Sequence, residues 1–317
     1  KNKKNSEYDC IIPVSAGKDS YRQAFYVRDV LKMNPLLVCN SYPPEQLTNL
    51  GAANMDNLVK KGFDVITISL DPLLWKKLYQ YCLKFHGNMM KASEMALYAA
   101  PVHIALSYGI PLMFYGENPA HTIGEKHGKL TGDAIGIRKG NTIKGGPLNL
   151  GFNFKKKSDY FFYNYPALKD ILKNNLRIIY LGYYIKDWYG YKNAKFALKK
   201  GFNKRSDIAK NTGDLWGFTG VDDDIRLVNQ YLKYLKYGFG HVTDQVIEAI
   251  HQGFMSRKEA INVVKKFDGA CHQKYINKFC KYAEISKKEF ENFTDKIVNK
   301  KLFFKSKNKW KPKFSIK

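Results

Sequence analysis

Residues 8–20, YDCIIPVSAGKDS, decide the fold. The apolar run 10–14 stops at Ser15, Ala16, Gly17, Lys18, Asp19 and Ser20, and an amphipathic segment with Phe25, Val27, Val30 and Leu31 follows at once. This pattern predicts a strand, a tight turn and a helix. Small residues let the backbone N–H groups of the turn approach a ligand closely. The helix that opens there leaves its first N–H groups without partners inside the helix. Such a turn is an anion site, and phosphate is its usual guest. Lys18 adds a mobile positive charge, and Ser15 and Ser20 add hydroxyl donors.

Two common phosphate loops are excluded. A Walker A loop needs G-x-x-x-x-G-K-[ST], whereas nothing glycine-rich precedes Gly17 and Asp19 follows Lys18. The dinucleotide pattern G-x-G-x-x-G is absent too. Residues 15–20 resemble the S-G-G-x-D-S pyrophosphate loop of the PP-loop ATP pyrophosphatases, which cleave ATP between the α and β phosphates. The departure is Ala16, where that pattern has its first glycine. Alanine tolerates most conformations except φ > 0, so the departure is expected to be mild if the position is not left-handed.

The 317 residues can form one large domain or two. With 22 Tyr and 20 Phe, the composition is that of a packed protein, not a disordered one. No apolar run is long enough to predict a transmembrane helix, and the polar start KNKKNSEYD lacks the apolar core of a signal peptide. Cys10, Cys39, Cys82, Cys271 and Cys280 form no C-x-x-C pair. Their odd number and scattered spacing fit a reducing, cytoplasmic setting. Lys and Arg outnumber Asp and Glu by 53 to 28, for a net charge of +25. Such an excess suits nucleic acid or another anionic partner. Because the charges are scattered, with dense patches only at 155–157 and 300–317, a Lys- and Asn-rich coding bias together with an anionic substrate is favoured, with RNA as the rival.

Strand and helix patterns alternate through the first half. Strands are expected at 36–39, 64–70, 110–115 and 177–184, and helices at 47–61, from Pro72, and at 94–108. The alternation predicts an α/β, Rossmann-like parallel sheet. Ligands bind such sheets at the carboxyl ends of the strands. Residues 15–20, Asn40 with Ser41, and Gly116 with Glu117 and Asn118 all fall at such ends, so three polar loops converge on one edge. Residues 133–158, rich in Gly, Asn and Lys and without a period, are expected to form a functional loop that closes over substrate. From residue 222 the signal is helical, with capping boxes at Ser256/Glu259 and Ser286/Glu289. The expected division is a sheet domain over 1–200 and a mainly helical part over 201–317.

Several later residues are candidates for chemistry. In GDLWGFTG (213–220), glycines that let a backbone approach a ligand lie beside Trp216, whose ring can stack on a sugar or base. Asp222, Asp223 and Asp224 follow; they suit magnesium or a helix N-cap. His241 and Asp244 share a helical face if their turn is helical, which suits a proton shuttle; alternatively Thr243 caps a helix there. His121 and His127 flank Glu125 and Lys126, but two histidines without a third ligand make no zinc site. Cys39 ends a strand without the glycines of a nucleophile elbow.

Beyond the loop, the chain resembles the N-acetyl sugar amidotransferases of bacterial surface-sugar pathways, a branch of the PP-loop superfamily. The stretches concerned are VSAGKDSYRQAFYVRDVL, MNPLLVCNSYPPEQLT, YGENPAHTIGEKHGKL, RIIYLGYYIKDWYGYKNAKFA, NTGDLWGFTGVDDD and LKYLKYGFGHVTDQV. The resemblance implies a fold of the adenine nucleotide alpha hydrolase kind and an AMP-forming amidotransferase. Such an enzyme adenylates the acetamido oxygen of an N-acetylated sugar, free or nucleotide-linked, and replaces it with ammonia. The resemblance also implies ATP with Mg²⁺, held by Ser15, Ala16, Gly17, Lys18, Asp19, Ser20, Asn40, Ser41, Gly116, Glu117 and Asn118, with Asp19 on the metal. Lys18, Asp19, Lys126 and His241 are the expected catalytic residues, and Glu125, Trp216 and Asp222 the expected substrate contacts. The expected partners are a glutaminase subunit supplying ammonia and a barrel-type synthase-like subunit. Relatives carry paired cysteines ahead of the first strand, resembling a zinc ribbon. None precedes Cys10 here, so zinc is expected only if a cysteine-rich segment lies upstream. Two other readings remain: a tRNA-modifying PP-loop enzyme of the thiolase or lysidine-synthetase kind, and a non-catalytic nucleotide-binding protein.

Overall fold

The computed structural model describes residues 7–116, 130–140, 142–307 and 309–317. It divides into two compact units: Lys1–Pro43, Gly51–Leu78 and Lys91–Asn203 form the first, and Pro44–Leu50, Tyr79–Met90 and Lys204–Lys317 the second.

The elements up to residue 199 run β1 (Cys10–Pro13), α1 (Lys18–Phe25), β2 (Pro35–Ser41), α2 (Asn49–Lys60), β3 (Val65–Ser69), α3 (Pro72–His86), α4 (Lys91–Ser107), β4 (Leu112–Tyr115), α5 (Leu168–Lys173), β5 (Arg177–Tyr180) and α6 (Gly190–Lys199). The five strands make one parallel sheet in the order β3-β2-β1-β4-β5. Strands buried on both faces read as continuous apolar runs, and β2 is buried from Pro35 to Asn40. α4 contributes Ala99, Ala100, Val102 and Ala105 to a core that includes Ile11, Val38, Met113 and Ile178. The chain order reverses between β1 and β4, so the crevice at their carboxyl ends is the topological switch point.

Three local expectations are corrected. α1 ends at Phe25 and continues as a π-helical turn, Tyr26–Val30. The wider turn shifts the side-chain register, so Val27 is buried while Val30 and Leu31 are exposed. The fifth strand stops at Tyr180 and a 3₁₀ turn, Leu181–Tyr183, follows. The first part of the segment expected to close over substrate is packed down, whereas most of 151–158 is exposed. Ala134, Ile137 and Ile143 join the sheet core, the Ala134 N–H bonds to the Ile178 carbonyl (2.9 Å), and the Thr142 hydroxyl bonds to Glu94 (3.0 Å).

The second unit contains α7 (Ile225–Tyr237), α8 (His241–His251), α9 (Arg257–Phe267), α10 (Gln273–Tyr282), α11 (Lys287–Ile297) and an antiparallel hairpin, β6 (Phe303–Ser306) with β7 (Lys309–Pro312). Both expected capping boxes form: Ser256 and Ser286 each accept an N–H from the glutamate three residues on, whose carboxylate binds back. The hairpin is anchored by Phe303, buried with Leu235 and Val298.

Candidate functional site

The turn after β1 lies at the switch point. Val14 donates to the Val38 carbonyl (2.9 Å), which sets the turn level with the end of β2. The turn closes on itself: the Ser15 N–H donates to the Ser20 hydroxyl (3.0 Å), so Ser20 is a staple of the loop. Gly17 is the N-cap of α1 at φ −79°, an ordinary conformation, with no side chain capping the helix. Ala16 carries the unusual backbone, at φ +57° and 1 % exposure. The condition set for a mild departure, a position that is not left-handed, is therefore not met. Ala16 occupies the left-handed region that favours glycine, while the glycine that is present sits where any residue fits.

Lys18 and Asp19 open α1. The Lys18 ammonium donates to Asp19 Oδ2 (2.5 Å), and Asn193 on α6 donates to Asp19 Oδ1 (2.8 Å). Asn193 is fully buried, and its Oδ1 has no partner. Two more buried amide oxygens near this edge, Asn40 Oδ1 and Gln23 Oε1, are also without partners. A buried polar atom left unpaired is costly, and a bound water, ion or ligand group would relieve it. Ser41 is turned to its neighbour, donating to the Tyr42 carbonyl (3.1 Å).

The end of β4 is shaped by close approach. A Cβ on Gly116 would stand 2.7 Å from Gln23 Nε2 and 3.1 Å from the Trp188 ring. Gly182 donates to the Gly116 carbonyl (2.8 Å), and its own Cβ would meet the same ring at 2.7 Å. A side chain at Gly116 would therefore require the Gln23 amide and the Trp188 ring to shift. Glu117, Asn118, His121, Glu125, Lys126 and His127 lie outside the described residues.

Sequence reasoning missed Asn193, Trp188 and the pair Arg22–Asp187. Arg22 stands one helical turn after Lys18, so the two share a face of α1. Its guanidinium binds Asp187 (2.8 Å) and lies 5.0 Å from the Phe196 ring centroid. Lys192 also binds Asp187 (2.9 Å), and its hydrogen bond, ahead of the Arg22 charge, holds the carboxyl below the usual range. The signal was present: Asp187, Trp188 and Asn193 belong to RIIYLGYYIKDWYGYKNAKFA.

In the second unit, GDLWGFTG is organised from within. Asp214, 1 % exposed, accepts the N–H groups of Trp216 (3.2 Å) and Thr219 (2.9 Å) and the Gln245 amide (2.6 Å). Gly213, Gly217 and Gly220 all have positive φ, and a Cβ on each would lie 2.6–2.8 Å from a carbonyl oxygen of Ala270, Arg205 or Asp223. These glycines admit neighbouring backbone, not a ligand, which corrects the first reading. Trp216 is half-buried, 6.1 Å from the Phe254 ring.

The acidic trio is divided by its surroundings. Asp224 occupies the N-cap position of α7 without capping, because it is bound to Arg205 and Lys278 (both 2.6 Å). Asp223 caps instead, accepting the Ile225 N–H (2.8 Å). Asp223 is fully buried, and burial pushes its carboxyl up to about 7. Burial also raises Asp222, against the pull of Arg226. The three do not form a magnesium cluster.

His241 is the first residue of α8, so it shares a face with Asp244. Nδ1 stands 3.7 Å from Asp244, and Nε2 lies 2.6 Å from the Thr219 hydroxyl. Thr219 is the partner that sequence reasoning missed. Thr243 is not the cap. It lies within α8 and binds Asp268, which also accepts the Gly240 N–H (2.8 Å).

Among the described residues, no three His, Cys, Asp or Glu side chains gather as a metal-binding group, and no helix is long and apolar enough to cross a membrane. All five cysteines are free thiols. Burial pushes Cys10 and Cys271 up to about 12 and Cys280 to about 11, far from thiolate character at neutral pH.

Fold and site define a parallel α/β protein with a short polar turn, opening a helix whose N-terminus no side chain caps, at its switch point. Residues 197–315, a little over a third of the chain, match the family model described as LPS biosynthesis protein WbpG-like, C-terminal domain. That part is thus similar to a domain of lipopolysaccharide-biosynthesis proteins. No curated protein matches the chain.

Proposed function

We propose that the protein is an ATP-dependent, AMP-forming amidotransferase that turns the acetamido group of an N-acetylated, surface-polysaccharide sugar into an acetamidino group. The observation that carries this reading is the Ser15–Ser20 turn at the switch point, with Lys18 at the open N-terminus of α1. The similarity of residues 197–315 to a lipopolysaccharide-biosynthesis domain supports the sugar as substrate.

The acetamido oxygen attacks the α phosphorus of ATP, the bond to the bridging oxygen breaks, and pyrophosphate leaves with the electron pair. Ammonia then adds to the imidate carbon, loses a proton, and the C–O bond breaks to release AMP. The role assigned to the turn is to hold pyrophosphate. Its N–H groups and the Lys18 ammonium face charge as it develops, where preorganised donors are most effective. Lys18 leaves Asp19 for the phosphate in this scheme, which frees Asp19 Oδ2, while Asn193 keeps hold of Oδ1. One carboxylate beside phosphate oxygens is a common magnesium arrangement, so Asp19 fits that metal. Bound magnesium would neutralise charge on the phosphate oxygens. Ammonia is proposed to come from a separate glutaminase, with a barrel-type subunit as further partner.

The test is pyrophosphate release with ATP, ammonium and a panel of N-acetyl sugar nucleotides. Release should require all three. Lys18→Ala should lower it by about 10²–10³-fold, the scale of losing one charge-stabilising donor, with an unchanged melting temperature. Equal turnover in that variant would remove the role given to the loop, and no release with any sugar would remove the reading.

A further inference from the structure

The second unit holds a cleft of about 520 Å³ that the reading above does not use. Its lining residues, except Leu50, all fall within the stretch similar to the lipopolysaccharide-biosynthesis domain. Four cations, Lys204, Arg205, Lys274 and Lys278, face two carboxylates, Asp207 and Asp224. Two positive charges are left over.

The cations differ in what they have to spare. Arg205 is the floor, its side chain 8 % exposed. Its guanidinium is committed to Asp224 (2.6 Å), to the Thr219 carbonyl (3.1 Å) and to the Gly220 carbonyl. It supplies charge, but its fork is not open to a ligand. The lysines form the rim. Lys274 and Lys278 are one turn apart on α10, so they project from one face. Each is about half exposed and reaches one floor carboxylate at 2.6 Å, Asp207 and Asp224 respectively. An ammonium has three donors, so each keeps donors for a guest. Lys204 is exposed, its ammonium 5.8 Å from the Phe218 ring centroid.

The carboxylates stay charged. Burial raises Asp207, but hydrogen bonds from Lys274, Asn211 and Tyr275 outweigh it and hold the carboxyl well below its usual range. Asp224 is likewise held low, Lys278 and Arg205 outweighing burial. The surplus of two positive charges therefore persists around neutral pH. Mobile ammonium groups without a free guanidinium fork favour phosphate oxygens, which lysine binds as a point charge, over a carboxylate gripped by two parallel bonds. The cleft volume falls in the range of small-molecule sites. The Tyr275 side chain and the lysine stems give part of the wall an apolar character.

We propose that this cleft binds a small organic diphosphate, recognised through its two phosphates by Lys204, Lys274 and Lys278. An organic diphosphate carries at least two negative charges near neutral pH, enough to match the surplus. The site is independent of the Ser15–Ser20 turn and stands whether or not the amidotransferase reading holds.

Calorimetric titration of the full chain with uridine diphosphate, inorganic pyrophosphate and uridine tests it. Uridine diphosphate and pyrophosphate should bind, and uridine should not. Binding should weaken as NaCl rises. Lys204→Ala/Lys274→Ala should weaken uridine diphosphate at least tenfold, and Lys204→Glu alone should do so without touching any ion pair of the floor. Lys18→Ala should leave the uridine diphosphate affinity unchanged while weakening any pyrophosphate held at the turn, which separates this cleft from the turn. Melting curves confirm that the variants fold. The proposal is overturned if neither phosphate binds, if uridine binds as well as its diphosphate, if both rim variants bind normally, or if Lys18→Ala alone abolishes binding.

Discussion

Ala16 is held at φ +57° inside the turn that defines the candidate site. A left-handed conformation costs alanine about 1–2 kcal/mol. Against this, burying one methyl stabilises by about 0.8 kcal/mol, and alanine restricts the unfolded chain by about 0.5–1 kcal/mol relative to glycine. The terms nearly cancel, which explains how alanine persists where the related pattern has glycine. Ala16→Gly should therefore shift the unfolding free energy by less than about 1 kcal/mol in urea. Ala16→Val should cost more than about 2 kcal/mol, because a β-branched residue is a genuine outlier at positive φ. A valine variant as stable as the parent would show that the turn relaxes to negative φ. Asp223 makes a second prediction at this scale. Its folded carboxyl titrates near 7 because of burial, well above its unfolded value. The folded state therefore binds the proton more tightly. The associated stability is present below the unfolded pKa and is lost as pH rises through about 7. Between pH 5 and 8 the slope approaches at most about 1.4 kcal/mol per pH unit. Asp223→Asn keeps an acceptor for the Ile225 N–H and cannot ionise, so its stability should fall less than the parent's over that range. Parallel curves for the two proteins would show that Asp223 is already ionised when folded.

At the scale of elements, glycines separate by what surrounds them. Gly62, at φ +83°, has nothing within 4 Å of an added Cβ. Gly217, at φ +74°, would put that Cβ 2.6 Å from the Arg205 carbonyl oxygen, and its own carbonyl accepts the Arg205 N–H (2.8 Å). Gly62→Ala should cost about 1 kcal/mol, the backbone strain alone. Gly217→Ala should cost about 3 kcal/mol or more, since a bonded backbone pair must separate as well. Equal losses on denaturant unfolding would mean that the GDLWGFTG loop yields easily. The same contrast explains what the sequence disclosed. The strands and most helices were legible because burial imposes apolar runs and periods on them. The packing of Ala134, Ile137 and Ile143 was not legible because they enter the core one at a time, without a period. The β6–β7 hairpin was hidden by its lysines, since Phe303 is, among the described residues, the single fully buried anchor in a stretch that otherwise reads as a basic tail. The phosphate turn was legible as a contiguous motif. Asn193, which binds Asp19 from 174 positions away, was not, because only folding brings them together.

The charge of the whole chain was legible from composition alone, but its division was not. Residues 44–50 and 79–90 group with the second unit although they interrupt the strand–helix alternation of the first, and nothing in their composition marks them. The net charge of +25 has its own consequence. Like charges repel in the compact state and are relieved by unfolding. Opposing this are ion pairs such as Lys60–Asp56 and Lys287–Glu291, at 2.7 and 3.9 Å, whose members are more than half exposed. Exposed pairs contribute about 0–1 kcal/mol each and are themselves screened by salt. The more buried pairs, such as Arg205–Asp224, are screened less. Salt therefore removes more repulsion than attraction. Raising NaCl from about 0.05 M to 0.5 M shortens the screening length from above to well below 10 Å. The melting temperature should then rise by about 1–2 °C, the shift that about 1 kcal/mol produces in a chain of this length. Chloride is the proper anion for the experiment, because phosphate or sulfate would add specific binding at the Ser15–Ser20 turn and at the lysine-rimmed cleft. A melting temperature that falls as NaCl rises would show that ion pairing, not repulsion, dominates the long-range electrostatics of this chain.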